Sequence, residues 1–466
     1  MKKITFLVSL IFLFLLQTSP SILADQTNKR KLALEEFIRL ASGNDTVFQE
    51  ILINELALQY QKALQLPAKD LVLSVRSHYS LILEDDNEAP ENTVSLSKLF
   101  PYTATKVSAE YSSSLRSTTY DVSSGYSIEI SQPIAENAFG KATRLLDRIV
   151  GMETDIARYQ IVEAYESYLA TIIQKYYEWY SAYENLKTAQ NSYTENVKLL
   201  ENIQDRRKNN IALPIDVNKV QLQVFAKEEN LIALRNIYLQ RLNAVKEAIR
   251  YPQEEELLPQ LPTLYMNTAI AFSKDYQEFK DTSRTYKVLE MIEKKSSLEL
   301  DRATDALLPS IDLFVGFSVL GEGYDVNPEE KKAFGGLELE LPLPGQVEKA
   351  EYGIAKIEED KTALSNKSAY ARLYTTLKDL HDSIEREKKL IAIADEKVHL
   401  AEEVVKDETE NYSYGKSSLN DLIDEINKLD ENNFSKIIHM IQLRKLIVEW
   451  LRLTDRLVLE NEVLRQ

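Results

Sequence analysis

The chain has 466 residues, no cysteine, 28% charged residues and a formal net charge of −17. The lack of thiols excludes disulfide staples, thiolate metal sites and a lipid anchor on an N-terminal cysteine. The acidic balance argues against a nucleic-acid partner, which needs a basic footprint, and fits a solvated helical surface or a passage that prefers cations.

Lys2 and Lys3 precede an apolar run from Ile4 to Leu16, which has the length of a secretory signal and is too short for an ordinary spanning helix. Cleavage is expected after Ala24, so residues 1–24 form a signal peptide. Residues 25–250 then read as a first structural repeat, 251–262 as a linker and 263–466 as a second repeat. Leu32 to about Leu64 predicts one or two amphipathic helices, which end at Leu64-Gln65-Leu66-Pro67. Beyond them Leu71, Leu73, Val75, Tyr79, Leu81 and Leu83 alternate with Ser74, Arg76, His78 and Ser80, the period of a strand. Thr93 to Ser97 and Lys106 to Arg116 also have strand-like text; an external loop, an extra hairpin and a first barrel strand all fit them. Tyr126, Ile128 and Ile130 alternate with Ser127, Glu129 and Ser131 before Pro133.

From Ile134 to Leu213 there is no proline, and Ala157, Ile161, Ala164, Tyr168, Ile172 and Tyr176 recur at helical spacing. Asn209-Asn210-Ile211-Ala212-Leu213-Pro214 interrupts this pattern, and another helix of about 35 residues follows. Tyr251 to Pro262 carries three prolines and an acidic run and forms the link. The order then repeats: helix from Ser273 to about Leu307, alternation at Ile311–Val319 and Leu337–Leu341, and a proline-free stretch from Gly345 to the end. Tyr414-Gly415-Lys416-Ser417-Ser418 interrupts the second long helix as the asparagines interrupt the first. A helix of about 70 residues is about 100 Å long, the dimension of a coiled coil or tube and not of a globular core.

Alternating strands of about ten residues with one apolar face are what a transmembrane barrel needs, and the mature chain offers no apolar stretch for a spanning helix. Two strands per half give four, too few to close a barrel; three copies would give twelve and would also close the helices into a tube. The expected fold is therefore mainly α with β: a trimeric twelve-stranded membrane barrel continued by a long α-helical coiled-coil barrel, with an internal two-fold repeat. A soluble periplasmic coiled-coil scaffold or adhesin with a small sheet at one end is the alternative. An enzyme is not expected: His78, His381, His399 and His439 have no metal spacing, Gly321-Glu322-Gly323 is no phosphate cradle, and no cofactor is implied.

Tyr412-Ser413-Tyr414-Gly415 followed by Leu419-Asn420-Asp421-Leu422-Ile423-Asp424 resembles the Tyr-Ser-x-Gly…Asp-x-x-Asp segment of the TolC family of outer-membrane efflux proteins. Arg206 ten residues before Asp216, and Leu308-Pro309-Ser310-Ile311-Asp312-Leu313, are similar to that family in the same order. The resemblance implies a homotrimeric channel-tunnel among outer-membrane lipids. It would dock to a periplasmic adaptor and an inner-membrane efflux or ABC transporter and export drugs, toxins or proteins. It implies a pore constriction at Asp421 and Asp424, which share a helix face at i, i+3, and a periplasmic gate involving Tyr412 and Asp216. The family's gate arginine is Ser417 here, with Lys416 beside it, about 100° around a helix. Arg206, Asn210, Ile211, Leu213 and Gly415 are the implied adaptor contacts, Asn210 standing where the family has a glycine; asparagine tolerates the left-handed backbone.

Overall fold

The structure, a computed structural model, describes residues 30–82, 87–116, 121–252, 256–263, 270–322 and 330–460. The expected signal peptide lies outside the described residues. A short strand β1 (Arg30–Leu32) leads into α1 (Leu34–Asn44) and α2 (Thr46–Gln65). Four strands follow: β2 (Leu71–Ile82), β3 (Asn87–Phe100), β4 (Thr105–Arg116) and β5 (Asp121–Pro133). Then come α3 (Lys141–Lys208), α4 (Pro214–Ala248), β6 (Leu257–Pro259), α5 (Phe272–Thr282) and α6 (Arg284–Asp305). The chain continues through β7 (Ser310–Glu322), β8 (Glu330–Glu340), α7 (Gln346–Ser413), α8 (Leu419–Leu453) and α9 (Leu457–Glu460).

The two halves match in their helix lengths and in the places of their turns. α3 and α7 are each 68 residues long, and α4 and α8 are each 35. Gly140 recurs as Gly345, Asn210 as Gly415, and Arg250 as Asp455, all at positive φ and each pair 205 positions apart. The shorter helices repeat as well, with their breaks at Asp45 and Ser283. Each of these residues is extended, which ends one helix, and its side chain accepts from a backbone N–H of the next, Val47 and Tyr286 respectively. α1 buries Leu34, Phe37, Ile38 and Ala41, a single stripe at helical spacing.

The sheet departs from the sequence expectation. It has six antiparallel strands in the order β2-β3-β4-β5-β7-β8, not four, because Asn87–Phe100 and Thr105–Arg116 are full members of it. Three such sheets carry eighteen strands, against the twelve expected from four per chain. The cause is a length difference: Pro67 to Pro133 spans 66 positions and Pro309 to Pro342 only 33, and the excess is one hairpin. Cross-strand register keeps one face mainly apolar from β2 to β7, with Lys331 of β8 opposite Val319 at the end. Val75 pairs with Val94, Val94 with Tyr111, Tyr111 with Tyr126, and Tyr126 with Val319. One residue along, the other face carries Ser74 opposite Ser95, Ser95 opposite Glu110, and Glu110 opposite Ser127.

Next to the sheet the helices lie side by side in the order α2-α3-α6-α7; farther away the order is α4-α3-α8-α7. A core at mid-length joins them, with Trp179, Tyr176, Phe37, Ile173, Val448 and Leu451 buried in it. The parallel pair β1–β6 closes this region, and the Tyr176 hydroxyl fastens it by donating to the Leu32 carbonyl (2.7 Å) and accepting from the Gln260 N–H (3.0 Å). The 251–262 link thus contains a strand paired to the start of the described chain. Among the described residues no helix is long and apolar enough to cross a membrane.

Candidate functional site at the hairpin tips

Each pair of long helices ends in a tip far from the sheet. In the first, Asn210 takes φ 60°, and the Arg206 carbonyl accepts from the N–H groups of Ile211 (2.8 Å) and Ala212 (3.3 Å). In the second, Gly415 takes φ 72°, and the Asn411 carbonyl accepts from the Lys416 N–H (2.9 Å). The left-handed turn expected of Asn210 is therefore present. Ile203, Ala212, Val220 and Leu419 form a small buried core beneath the two tips, packed against Tyr412 and Ile423. Ile211 and Leu213 stay 65% and 64% exposed.

The structure brings Arg206, Tyr412 and Asp216 together. The Arg206 guanidinium lies 4.8 Å from the centre of the Tyr412 ring, a cation–π contact between the two hairpins. Burial pushes the Tyr412 phenol up from its ordinary value; Arg206 opposes that shift and Asp216 adds to it. Lys416 is not part of this group: its ammonium lies 5.4 Å from the Tyr414 ring. The Ser417 hydroxyl is buried without a hydrogen-bond partner in the chain.

Asp216 and Asp421 each have a local task at a helix start. Asp216 Oδ2 accepts from the Leu213 N–H (3.0 Å) at the start of α4. Asp421 Oδ2 accepts from the Ser418 hydroxyl (2.7 Å) and N–H (3.2 Å) at the start of α8. Ser418-x-x-Asp421 is a capping box, with the Asp421 N–H returned to Ser418 Oγ at 3.3 Å. These Ser418 hydrogen bonds hold the Asp421 carboxyl below its usual range. Asp421 and Asp424 are both exposed on the first turns of α8.

Above the tips a polar ladder links α4 to α8. Lys219 donates to Asn420 (3.0 Å), Gln223 to Asn427 (2.6 Å), and Lys227 pairs with Asp430 (2.7 Å).

No family model and no curated protein matches the sequence. Solved structures do match in fold. A structure of CusC, described as bearing on folding and transmembrane channel formation, is 11% identical, with a TM-score of 0.69 over 94% of this chain and 98% of its own. The CmeC outer membrane channel of Campylobacter jejuni is 13% identical, with a TM-score of 0.66 over 90% of this chain and 85% of its own. The open state of the MtrE outer membrane channel of Neisseria gonorrhoeae is 15% identical, with a TM-score of 0.66 over 94% of each chain. The chain has the TolC-family channel fold.

Within this TolC-type fold one charged cluster had no signal in the sequence, because its members are far apart in the chain. Arg284 pairs with Glu166 and, at 3.0 Å, with Asp455, and the Val458 N–H donates to Glu166 (3.2 Å). Glu163 completes a group of three carboxylates. Glu166 is fully buried, and burial pushes its carboxyl up to about 7 against the opposing pull of Arg284. The cluster ties the end of α8 to α3 and α6, at mid-length of the helices.

Proposed function

We propose that this chain is the outer-membrane component of a three-part export machine. Three copies close the sheets into a barrel and the helices into a periplasmic tube, an adaptor holds the tips, and an inner-membrane transporter supplies the solute. No bond in the solute is broken. The observation that carries the reading is the state of the edges. Single copies leave β2 and β8 with unpaired strand edges. They also leave apolar residues exposed along both outer helices: Ile53, Leu56 and Tyr60 on α2, and Ile354, Ile357 and Leu364 on α7. Farther down, Phe225, Ile232 and Leu239 on α4 repeat every seven residues and are also exposed, the seam of a coiled coil awaiting a partner. The first outer helix climbs towards the sheet and α7 descends from it, so neighbouring copies would meet antiparallel, as barrel strands do.

In this assembly Asp421 and Asp424 would contribute six carboxylates around the periplasmic mouth and favour cations. Arg206, Tyr412 and Asp216 would form the gate contact between hairpins, with Lys416 and Ser417 on its rim. Ile211 and Leu213, with the Asn210 and Gly415 turns, would meet the adaptor. The soluble scaffold reading leaves the apolar sheet face without a role. Fractionation and planar-bilayer recording test the proposal: the protein should require detergent for extraction from outer membranes and should open cation-preferring pores. Extraction by salt alone, without pores, would return the scaffold. Drug-sensitivity and secreted-protein profiles of a deletion strain would name the solute.

A further inference from the structure

The third and fourth strands add a hairpin to the sheet. We infer that this hairpin is part of the membrane wall, so that three chains form an eighteen-stranded barrel in which β2 of one chain pairs with β8 of the next. The inference rests on the channel reading above. Four observations support it. The hairpin is not an appendage: β3 pairs along its length with β2, and β4 along its length with β5, in unbroken antiparallel register. Its apolar residues Val94, Leu96, Val107, Ala109 and Tyr111 continue the apolar face of the neighbouring strands. Its lower turn is seated at the junction of sheet and helices, where Arg144 donates to the Tyr102 carbonyl (2.8 Å). Gly140 passes so close beneath that a Cβ there would lie 2.3 Å from the Tyr102 oxygen.

The fourth observation is geometric. Six strands about 4.8 Å apart, tilted by about 40°, span an arc of about 38 Å. The four helices next to the sheet, about 9–10 Å apart, span about 36–40 Å. By these general spacings the two layers of one chain are of similar width, so that one number of copies suits both. Four strands would span only about 25 Å. The edge strands also suit each other: β2 runs away from the helices and β8 runs towards them, so their pairing is antiparallel and the ring keeps an even strand number.

The consequence is a wider exit. Barrel diameter grows roughly in proportion to strand number, so eighteen strands give a lumen about 1.5 times as wide as twelve. Barrels of this size hold an aqueous channel, and the lumen-facing side here is rich in serine with Glu110, Glu129, Arg76 and Lys106. Two aromatic side chains on that side do not narrow it: Phe334 lies over Gly316, and Phe314 over Gly336. The solutes that fit are bulky and hydrated, and their selection falls to the periplasmic tips.

The chain has no cysteine, so paired substitutions report pairing cleanly. Leu73→Cys or Val75→Cys on β2, combined with Ala333→Cys or Leu337→Cys on β8, should give a covalent three-chain ladder in oxidised outer membranes. The same β8 positions combined with Val107→Cys or Ala109→Cys on β4 should give none. A β4–β8 link between chains would make β4 the edge of the wall, place β2 and β3 outside it, and overturn the inference while leaving the channel intact. Images of the wild-type protein in lipid nanodiscs give the count without substitutions. Eighteen strands in a threefold particle are expected. A threefold particle with twelve strands overturns the wide barrel alone, and a single-chain particle overturns the channel reading with it.

Discussion

Gly140 and Gly345 stand at the same place in the two halves, at φ 77° and 68° before helices of 68 residues, yet only Gly140 lies beneath a β-turn. The difference shows where two halves of matching layout are free to differ. The helices keep their lengths because each must end level with its neighbours, and one added residue would turn every later side chain by about 100°. A sheet has no such constraint: an added hairpin brings two strands, restores the original chain direction and leaves the helix ends in place. The tips diverge in chemistry while their backbone stays the same. Ile211 and Leu213 occupy the positions of Lys416 and Ser418, so one tip is apolar and the other polar.

The largest expected effect tests that contrast at the tips. Ile211→Glu or Leu213→Glu should abolish export while assembly and membrane insertion persist, because a charge would enter a partner surface. Lys416→Glu or Ser418→Glu should reduce export far less. Transport assays beside blots of the assembled protein compare the four; equal loss from both tips would erase the distinction.

The glycine pair comes next. Gly345→Ala meets only ordinary contacts, so it should cost about 1–2 kcal/mol for its left-handed backbone. Gly140→Ala adds the collision with Tyr102 and should cost about 2–5 kcal/mol. Thermal denaturation of the two purified variants ranks them, and equal melting temperatures would detach the hairpin turn from Gly140.

The Arg284 cluster is a third asymmetry, since position 371, the counterpart of Glu166, is alanine. The folded-state value of the Glu166 carboxyl is raised, to about 7. Its contribution to stability is therefore fully present below its ordinary value, about 4.3, and is lost as pH rises through about 7. Glu166→Gln should flatten the melting temperature across that interval, as pH-dependent calorimetry would reveal. An unchanged slope would assign the pH dependence to other groups.

The smallest effect concerns the mouth. Asp424→Asn should weaken cation preference with assembly intact, whereas Lys219, its counterpart in the first half, should tolerate Gln with little change. Reversal potentials across a salt gradient distinguish them, and identical values for wild type and Asp424→Asn would place that carboxylate away from the pore.

Much of the fold was legible because long helices repeat their spacing many times over. The helix breaks were legible too, through Pro214, Gly415 and the asparagines. The hairpin was legible only as one of three open readings, because β3 carries Pro90 and Lys98 and β4 a run of serines, which blur the alternation that marked the other four strands. Hydrogen bonding to both neighbours outweighs the weak strand preference of those residues. At the tips the Arg206–Tyr412 contact was not expected: the resemblance put Arg206 among the adaptor contacts and Tyr412 in the gate, and nothing in spacing brings residues two hundred positions apart together. The capping roles of Asp216 and Asp421 were readable in principle, three residues beyond Leu213 and Ser418. The mid-length cluster unites Glu166 from within α3, Arg284 from the start of α6 and Asp455 from just beyond α8, and had no local signature.

The central claim is that this chain works only as a ring of copies closed at its edges. Native mass spectrometry of the protein extracted from outer membranes in mild detergent tests it most directly. The account predicts a particle of three chains that holds together without any crosslink; a stable, folded single chain would contradict it.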